Sequence, residues 1–207
     1  MIPELLANAA IGYLLGSVPF GLVVGYLWLG RDIRDSGSGK TGTTNVLRTA
    51  GKVPAALVMV ADILKGVAPG LIGRFVFHDD TVAAVGAAAA VVGHIWPIFA
   101  GFRGGRGVAT AFGAILGLTP LALVFPLIGI ALVVPTRYVS LMSVVGTPIS
   151  AAIIVVAAAA FGQPWAFAVC AVFATALVEY KHIPNIRRLL AGTEPRFGQG
   201  GNRPATG

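Results

Sequence analysis

The chain has 207 residues, of which 56% are hydrophobic and only 11% are charged. Soluble domains usually carry about 25% charged residues, so this composition excludes an ordinary water-soluble domain and indicates a polytopic membrane protein. The formal net charge of +7 favours contact with anionic lipids or substrates over nucleic acid, because the cations lie in loops between apolar stretches. Cys170 is the only cysteine, which excludes an intrachain disulfide, and we expect it to pack as a small buried apolar side chain.

Seven apolar stretches, taken in chain order, are predicted to span the membrane as helices. The first has no basic leader region, so we expect it to be retained, and its interruption around Pro19 predicts a kink. The second contains Asp62 and Lys65, which at this spacing are expected to form a structural ion pair that braces the preceding loop. The seven stretches cover approximately residues 3–29, 53–77, 82–99, 108–118, 121–134, 141–160 and 165–180.

The placement of charge decides the number of spans. Residues 108–134 would form one span roughly 40 Å long, or two short spans that turn at Pro120. With two spans, all but Lys65 and Arg74 of the 15 basic residues lie on one side. The positive-inside rule therefore predicts an all-α bundle of seven transmembrane helices, with the N-terminus outside and the C-terminus in the cytoplasm. We expect one transmembrane domain over residues 1–197 and a disordered tail over 198–207.

The first polar segment on that side, SGSGKTGTTNVLR, covers residues 36–48. Its glycines let backbone N–H groups turn toward one point, and its hydroxyls, amide and cations favour a phosphate there. A nucleotide-binding P-loop is disfavoured, because Arg34 stands where that motif requires glycine and because a membrane helix precedes it. A flexible solvated linker is the alternative. The candidate substrate-binding residues are Ser38, Gly39, Lys40, Thr41, Gly42, Asn45 and Arg48.

The second polar segment, residues 93–110, contains the turn GGRG directly before the fourth predicted span. Glycine amides and a guanidinium ahead of a helix are suited to an anion. An interfacial turn anchored by Trp96 is the alternative. The candidate anion-binding residues here are Gly104, Gly105 and Arg106.

The third polar segment, residues 179–194, carries His182 and Asn185, which share a face if the segment is helical. Beside an amide and cations, His182 is a candidate for substrate contact or proton transfer, whereas an isolated surface histidine is usually inert. Arg187 and Arg188 are expected to touch lipid headgroups or substrate. Residues 78–80, on the opposite side, are expected to be a solvated loop, and the sequence predicts no metal site.

Together the three segments resemble the motifs of one family, the membrane-bound, acyl-phosphate-dependent glycerol-3-phosphate acyltransferases of bacteria. The family patterns are Gly-Ser-Gly-Asn-x-Gly-x-Thr-Asn-x-x-Arg, Gly-His-x-Trp-Pro-x-Phe-x-x-Phe-x-Gly-Gly-Lys-Gly-Val-Ala-Thr and His-x-x-Asn-Ile-x-Arg-Leu-x-x-Gly-x-Glu. Similar sequences stand here at residues 37–48, 93–110 and 182–194. Two positions depart from the patterns: Lys40 replaces asparagine and Arg106 replaces lysine, and both changes keep or add positive charge.

The resemblance implies transfer of a fatty acyl group from acyl-phosphate to the sn-1 hydroxyl of glycerol 3-phosphate, which yields lysophosphatidic acid for phospholipid synthesis. It places the active site at the cytoplasmic face of the bacterial plasma membrane, requires no cofactor and implies an upstream enzyme that makes acyl-phosphate. Because acyl-phosphate is already activated, the protein has only to hold two anions, a hydroxyl and a carbonyl in attacking geometry.

The resemblance also assigns roles to residues. The amides around residues 39–42 and those of the second turn are expected to hold acyl-phosphate. Either Ser140 or Ser143 is expected to reach the glycerol phosphate as well. The residues expected to hold glycerol 3-phosphate are Ser38, Arg48, Arg106, His182 and Asn185, and all of them except Arg48 are expected to be catalytic.

Three questions stay open at this point. The proton acceptor is either His182 or an oxygen of a substrate phosphate. The acyl chain is expected in an apolar groove among the spans, in contact with membrane lipid. A transporter of a phosphorylated or anionic small molecule is the main functional alternative and predicts a polar path through the bundle, and a non-catalytic membrane scaffold is the second.

Overall fold

The computed structural model describes residues 1–196, which form helices and connections without a β-strand. The predicted all-α class is therefore confirmed, whereas the predicted tail at 198–207 lies outside the described residues. The α-helices in this part of the chain are α1 (Ile2–Ser17), α2 (Phe20–Leu29), α3 (Thr43–Thr49), α4 (Lys52–Phe75), α5 (Asp80–Ile95), α6 (Val108–Leu116), α7 (Val124–Thr136), α8 (Val139–Val144), α9 (Gly146–Phe161) and α10 (Trp165–Leu190).

Within residues 1–196, five helical segments are long and apolar enough to cross a membrane. A shorter apolar segment, Pro120–Thr136, follows α6. Helix α6 has 9 residues and is about 14 Å long, less than half of a hydrocarbon core of about 30 Å. The count of seven spans and the sidedness of the termini remain predictions. The five long segments are Ile2–Leu29, Lys52–Phe75, Asp80–Ala100, Val139–Phe161 and Trp165–Leu190.

Helix α10 is longer than predicted. The apolar stretch ends near residue 180, but the helix continues through Pro184 to Leu190. It continues because its inward face stays buried beyond the apolar part: Val178, His182 and Asn185 are at most 3% exposed. This extension places residues 179–190 of the third polar segment on the helix, so that His182 and Asn185 share its buried face as expected.

Close helix packing sets the centre of the bundle. A side chain added at Gly12 of α1 would overlap the backbone of Gly86 in α5, so these two helices meet through backbone contact. The buried amide of Asn8 donates to the carbonyl oxygens of Pro69 in α4 and Val82 in α5, at 3.1 and 2.8 Å. Helices α1, α4 and α5 are thereby joined at the end of the bundle that lies opposite the polar segments.

The structure also tests the predictions made for Pro19, for Cys170 and for residues 78–80. The predicted interruption near Pro19 is confirmed, since α1 ends at Ser17 and α2 begins at Phe20. Cys170 is 3% exposed, as expected for a packing residue. The description of residues 78–80 as merely solvated is wrong for Asp79, whose carboxylate accepts the N–H groups of two residues and caps the start of α5.

Candidate anion-binding site

The first glycine loop, residues 36–42, is folded around the side chain of Asn45. This side chain is 2% exposed, its Oδ1 accepts the N–H of Ser38 at 2.7 Å, and its Nδ2 donates to two backbone carbonyl oxygens at 2.9 Å. Gly37 has a φ of 63°, and a side chain there would overlap the Asn45 amide. The Asn45 amide is thus committed to shaping the loop, which differs from its predicted role as a substrate ligand.

Arg34 ties the first glycine loop to the second, residues 101–107. Its guanidinium pairs with Asp32 at 2.7 Å and donates to the carbonyl oxygen of Ala100 at 3.1 Å. The hydrogen bonds from Arg34 hold the pKa of Asp32 below its ordinary value, so the pair is ionised at neutral pH. This clamp keeps the bases of the two loops side by side.

The second glycine loop lies directly on His94. The N–H of Gly105 donates to the His94 carbonyl oxygen at 3.3 Å, and a side chain at Gly104 would overlap the same oxygen. The Gly105 amide is therefore committed to the fold instead of a ligand. The loop leads into α6, whose first turn has N–H groups without helical partners, and it brings Arg106 to that end.

The two loops face each other across an open polar cleft of about 520 Å³. Lys40 lines one wall, Arg103 lines the other, and Lys181 of α10 joins them from the third segment. Lys181 is held over the ring of Trp96, 5.4 Å from its centre. The cleft is also lined by the Arg34–Asp32 pair and by the exposed Asp35, so its four cations exceed its two carboxylates by two charges. This surplus of positive charge is suited to a phosphate group.

A second concentration of charge surrounds Arg106, which is half-buried. Burial lowers the pKa of its guanidinium, and the positive charges of Arg188 and Arg48 lower that pKa further, while Glu194 opposes them. Arg48, Arg188 and Glu194 thus all lie within electrostatic reach of Arg106. The cluster has a surplus of positive charge that a phosphate dianion would neutralise.

Helix α10 presents two buried polar side chains toward this cluster. Nδ1 of His182 lies 2.8 Å from the carbonyl oxygen of Val178, so in the neutral tautomer Nδ1 carries the proton and Nε2 is an acceptor. Nδ2 of Asn185 donates to one oxygen of Glu194 at 2.7 Å, and Nε of Arg188 donates to the other at 2.7 Å. The Glu194 carboxylate therefore engages both Asn185 and Arg188 of the third segment.

The predicted site residues divide between the two places. Lys40, Gly39 and Gly104 line the cleft, whereas Arg48, Arg106 and His182 belong to the charge cluster. Ser38 is exposed, Thr41 is buried, and Gly42 directly precedes α3. Ser140 and Ser143 are both 7% exposed in α8, and Ser140 is the one that lies against Glu194.

Sequence reasoning missed three polar residues of this region. Arg103 and Lys181 line the cleft, and Glu194 pairs with Arg188 beside Arg106. The available signal was position: Arg103 lies directly before the GGRG turn, and the other two lie inside the third segment.

A small apolar cavity of about 40 Å³ lies between α6, α7, α9 and α10. Its wall includes Phe112 and Ile115 of α6, Phe125 of α7, Ala151 of α9 and Val178 of α10. Val178 stands one helical turn before His182. The apolar cavity therefore approaches the polar cluster along α10, as a site for an amphipathic molecule requires.

Comparison with known proteins gives one consistent result. The sequence model of a family described as "Glycerol-3-phosphate acyltransferase" matches residues 6–192. A glycerol-3-phosphate acyltransferase of Allorhizobium ampelinum is 43% identical over 204 residues, which cover 97% of this chain and 95% of that protein. A second relative, glycerol-3-phosphate acyltransferase 2 of Moorella thermoacetica, is 44% identical over 190 residues, with 91% and 95% coverage.

Two solved structures share the fold. The crystal structure of PlsY (YgiH), an integral membrane glycerol 3-phosphate acyltransferase in its glycerol 3-phosphate form, has a TM-score of 0.86 and 41% identity. It covers 94% of this chain and 96% of its own. The lysophosphatidic acid form of PlsY has a TM-score of 0.85 and 40% identity, with the same coverage.

The Glu194 carboxylate predicts a pH-dependent stability. Burial acts to raise its pKa, but hydrogen bonds from Asn185 and Arg188 outweigh this, so the pKa in the folded state lies below the ordinary 4.5. A depressed pKa contributes stability above the unfolded value, and this contribution is lost as the pH falls through the folded value. Glu194→Gln should therefore lower the Tm at about pH 7 and lower it much less below about pH 4.

Thermal unfolding in detergent at both pH values measures this effect. Asp35→Asn, at an exposed carboxylate, serves as the control and should change the Tm little at either pH. An equal loss of Tm at both pH values for Glu194→Gln would contradict the ionic role of this carboxylate.

Proposed function

Because this chain belongs to the glycerol-3-phosphate acyltransferase family, we propose that it transfers a fatty acyl group to the sn-1 hydroxyl of glycerol 3-phosphate and releases lysophosphatidic acid. The observation that carries the proposal is that Arg48, Arg188 and Glu194 all lie within electrostatic reach of the half-buried Arg106. This surplus of positive charge fits a phosphate monoester. The PlsY neighbours, named for glycerol 3-phosphate and lysophosphatidic acid forms, support the same substrate and product.

Glycerol 3-phosphate is proposed to bind in the charge cluster. Arg48 and Arg106 would pair with its phosphate, and the Ser38 hydroxyl would contact the substrate from the first glycine loop. Asn185 and Ser140 are placed to contact the glycerol hydroxyls, once Glu194 yields the donors that it occupies. Ser140 is preferred over Ser143, because it is the serine that lies against Glu194.

The acyl donor is proposed to be acyl-phosphate, with its phosphate in the cleft between the two glycine loops. Lys40, Arg103 and Lys181 line that cleft and would neutralise the anion. The amides of Gly105 and Gly39 donate to backbone carbonyl oxygens, so side-chain cations and the remaining loop amides are left for the phosphate. The acyl chain would enter the apolar cavity between α6, α7, α9 and α10.

The reaction needs no covalent intermediate on the protein. The sn-1 oxygen attacks the acyl carbonyl carbon, an ester bond forms, and the bond between that carbon and the phosphate oxygen breaks to release inorganic phosphate. The hydroxyl proton passes to Nε2 of His182 or to a phosphate oxygen of a substrate. His182 suits this task because its Nδ1 is engaged by the Val178 carbonyl, which leaves Nε2 as the acceptor.

We further propose seven spans, with the polar segments on the cytoplasmic face of the bacterial plasma membrane. In this arrangement α6 and Pro120–Thr136 are the two short spans, which tilt or thin the bilayer. The positive charge of the polar segments supports this side. A soluble enzyme upstream would then deliver acyl-phosphate to the same face. Membership of an acyltransferase family sets aside the transporter and scaffold alternatives.

Turnover by the purified protein tests the proposal. Protein reconstituted in lipid bilayers with palmitoyl phosphate and glycerol 3-phosphate should release lysophosphatidic acid and inorganic phosphate in equal amounts. Palmitoyl coenzyme A in place of the acyl phosphate should give no product. Folded protein that forms no lysophosphatidic acid from palmitoyl phosphate would refute the function, and equal use of coenzyme A thioester would refute the donor.

Substitutions of Arg106 and Arg103 should separate the two substrates. Arg106→Ala removes a charge-assisted contact and should lower kcat/KM for glycerol 3-phosphate about 10- to 100-fold, while Arg106→Lys retains most activity because the charge remains. Arg103→Ala should raise the KM for the acyl phosphate instead. Steady-state kinetics with each substrate varied in turn measure both effects. Equal changes in the same KM for Arg106→Ala and Arg103→Ala would contradict separate binding places for the two substrates.

The apolar cavity predicts a change in acyl-chain preference. Ala151 is 6% exposed and lines the cavity, so Ala151→Phe should shorten the chain that is used best. Its neighbour Ala152 is exposed on the outside of the bundle, and Ala152→Phe is therefore the matched control. Initial rates with acyl phosphates of increasing length compare the two variants. An unchanged preference in Ala151→Phe would place the chain elsewhere.

A further inference from the structure

A buried ion pair lies inside the bundle, outside both the cleft and the charge cluster where the substrates are proposed to bind. Asp62 and Lys65 of α4 are 2% and 6% exposed, and Nζ of Lys65 lies 2.8 Å from Oδ1 of Asp62. A buried ion pair often adds little stability, because the loss of hydration offsets the attraction. The reaction proposed above does not use either group, so their presence in an apolar setting requires another reason.

Lys65 connects the pair to the first glycine loop. Its Nζ donates to the carbonyl oxygen of Val18 at 2.8 Å, at the break between α1 and α2, and lies 5.5 Å from the ring centre of Phe20. One residue further, Gly21 packs so closely that a side chain there would overlap the carbonyl of Thr41. Thr41 belongs to the first glycine loop. The position of Lys65 is thus transmitted through the start of α2 to that loop.

Asp62 connects the pair to the second glycine loop. Its Oδ1 lies 3.5 Å from Nδ1 of His94 in α5. The His94 ring stands directly under Gly105, where an added side chain would overlap Nε2, and the His94 carbonyl oxygen accepts the Gly105 N–H. The position of Asp62 is thus transmitted through one histidine to the loop that carries Arg106.

We propose that Asp62, Lys65 and His94 are positioning residues that set the distance between the two glycine loops. The inference rests on the proposed function, in which the cleft between these loops would hold the phosphate of the acyl donor and Arg106 of the second loop would hold the acceptor. The cleft is open and its cations are long side chains that can follow a small shift of the loops, but the reacting carbon and oxygen must approach within a narrow range. A displacement of about 1 Å lowers the rate of such a step about a hundredfold.

The helical bundle has a separate device for stability. Asn8 joins α1, α4 and α5 through its bonds to Pro69 and Val82, at the opposite end of the same three helices. The ion pair is therefore not required to hold these helices together, and replacing both partners by apolar side chains of similar size is expected to leave stability unchanged or higher. Lost activity with unchanged stability in the double replacement would therefore indicate a positioning role, whereas lost stability would indicate a structural role.

The experiment measures turnover per substrate-binding site in reconstituted protein. Binding of glycerol 3-phosphate, measured by equilibrium dialysis, gives the number of folded sites in each preparation. The variants are Asp62→Asn, His94→Ala and the double replacement Asp62→Leu/Lys65→Met. Each variant should lose about a hundredfold in kcat per site, while the KM of each substrate changes at most about threefold. The double replacement should retain a Tm near that of the wild type.

Asn8→Ala is the matched control, because it removes a buried polar link between the same helices. It should lower the Tm and leave kcat per binding site unchanged. Wild-type kcat in the folded double replacement or in His94→Ala would overturn the proposal, as would loss of folding in both Asp62→Asn and the double replacement. Failure of the proposed function is distinguishable, because the wild-type protein would then form no lysophosphatidic acid.

Discussion

The positive charges of Arg48 and Arg188, from two distant segments of the chain, both act on the half-buried Arg106 of a third segment. Like charges at short range repel, and a single carboxylate, Glu194, neutralises only part of them. Burial adds a desolvation cost, so hydrogen bonds and opposite charge are what can balance such a cluster. A multiply charged anion would complete this balance, as the proposed binding of glycerol 3-phosphate requires.

The membrane environment explains how the cluster is assembled. Polar backbone groups in an apolar setting must be satisfied internally, so irregular backbone is confined to the ends of helices or to places packed against protein. Both glycine loops meet this condition: one is bonded to the Asn45 amide and the other to the His94 carbonyl. Glycine permits these contacts because a side chain at Gly37, Gly104 or Gly105 would overlap its partner. Loop shape and anion binding are thus parts of one arrangement.

Much of this arrangement was predictable from the sequence. The composition and the length of the apolar stretches determine the helical class, and the polar segments are distinct from the apolar stretches around them. The distribution of basic residues also predicts that those segments lie together.

The commitment of Asn45 to its own loop was not predictable, since an amide in a motif suited to phosphate binding has the same sequence signature whether it binds backbone or ligand. The role of Glu194 was hidden for a similar reason, because its partners Asn185 and Arg188 depend on how the chain folds back after α10. The extent of α10 was underestimated because burial of Val178 and His182, and not apolar length, decides where that helix ends.

The three polar segments are proposed to lie on one side of the membrane and to form one site. Single cysteines at the exposed positions Lys40, Arg103 and Arg187, introduced with Cys170→Ala, test this when a membrane-impermeant maleimide is added to intact cells and to inside-out vesicles. All three cysteines should react in inside-out vesicles, and none should react in intact cells. Reaction of any one of them from the outside, while the others react only from the inside, would refute a shared site.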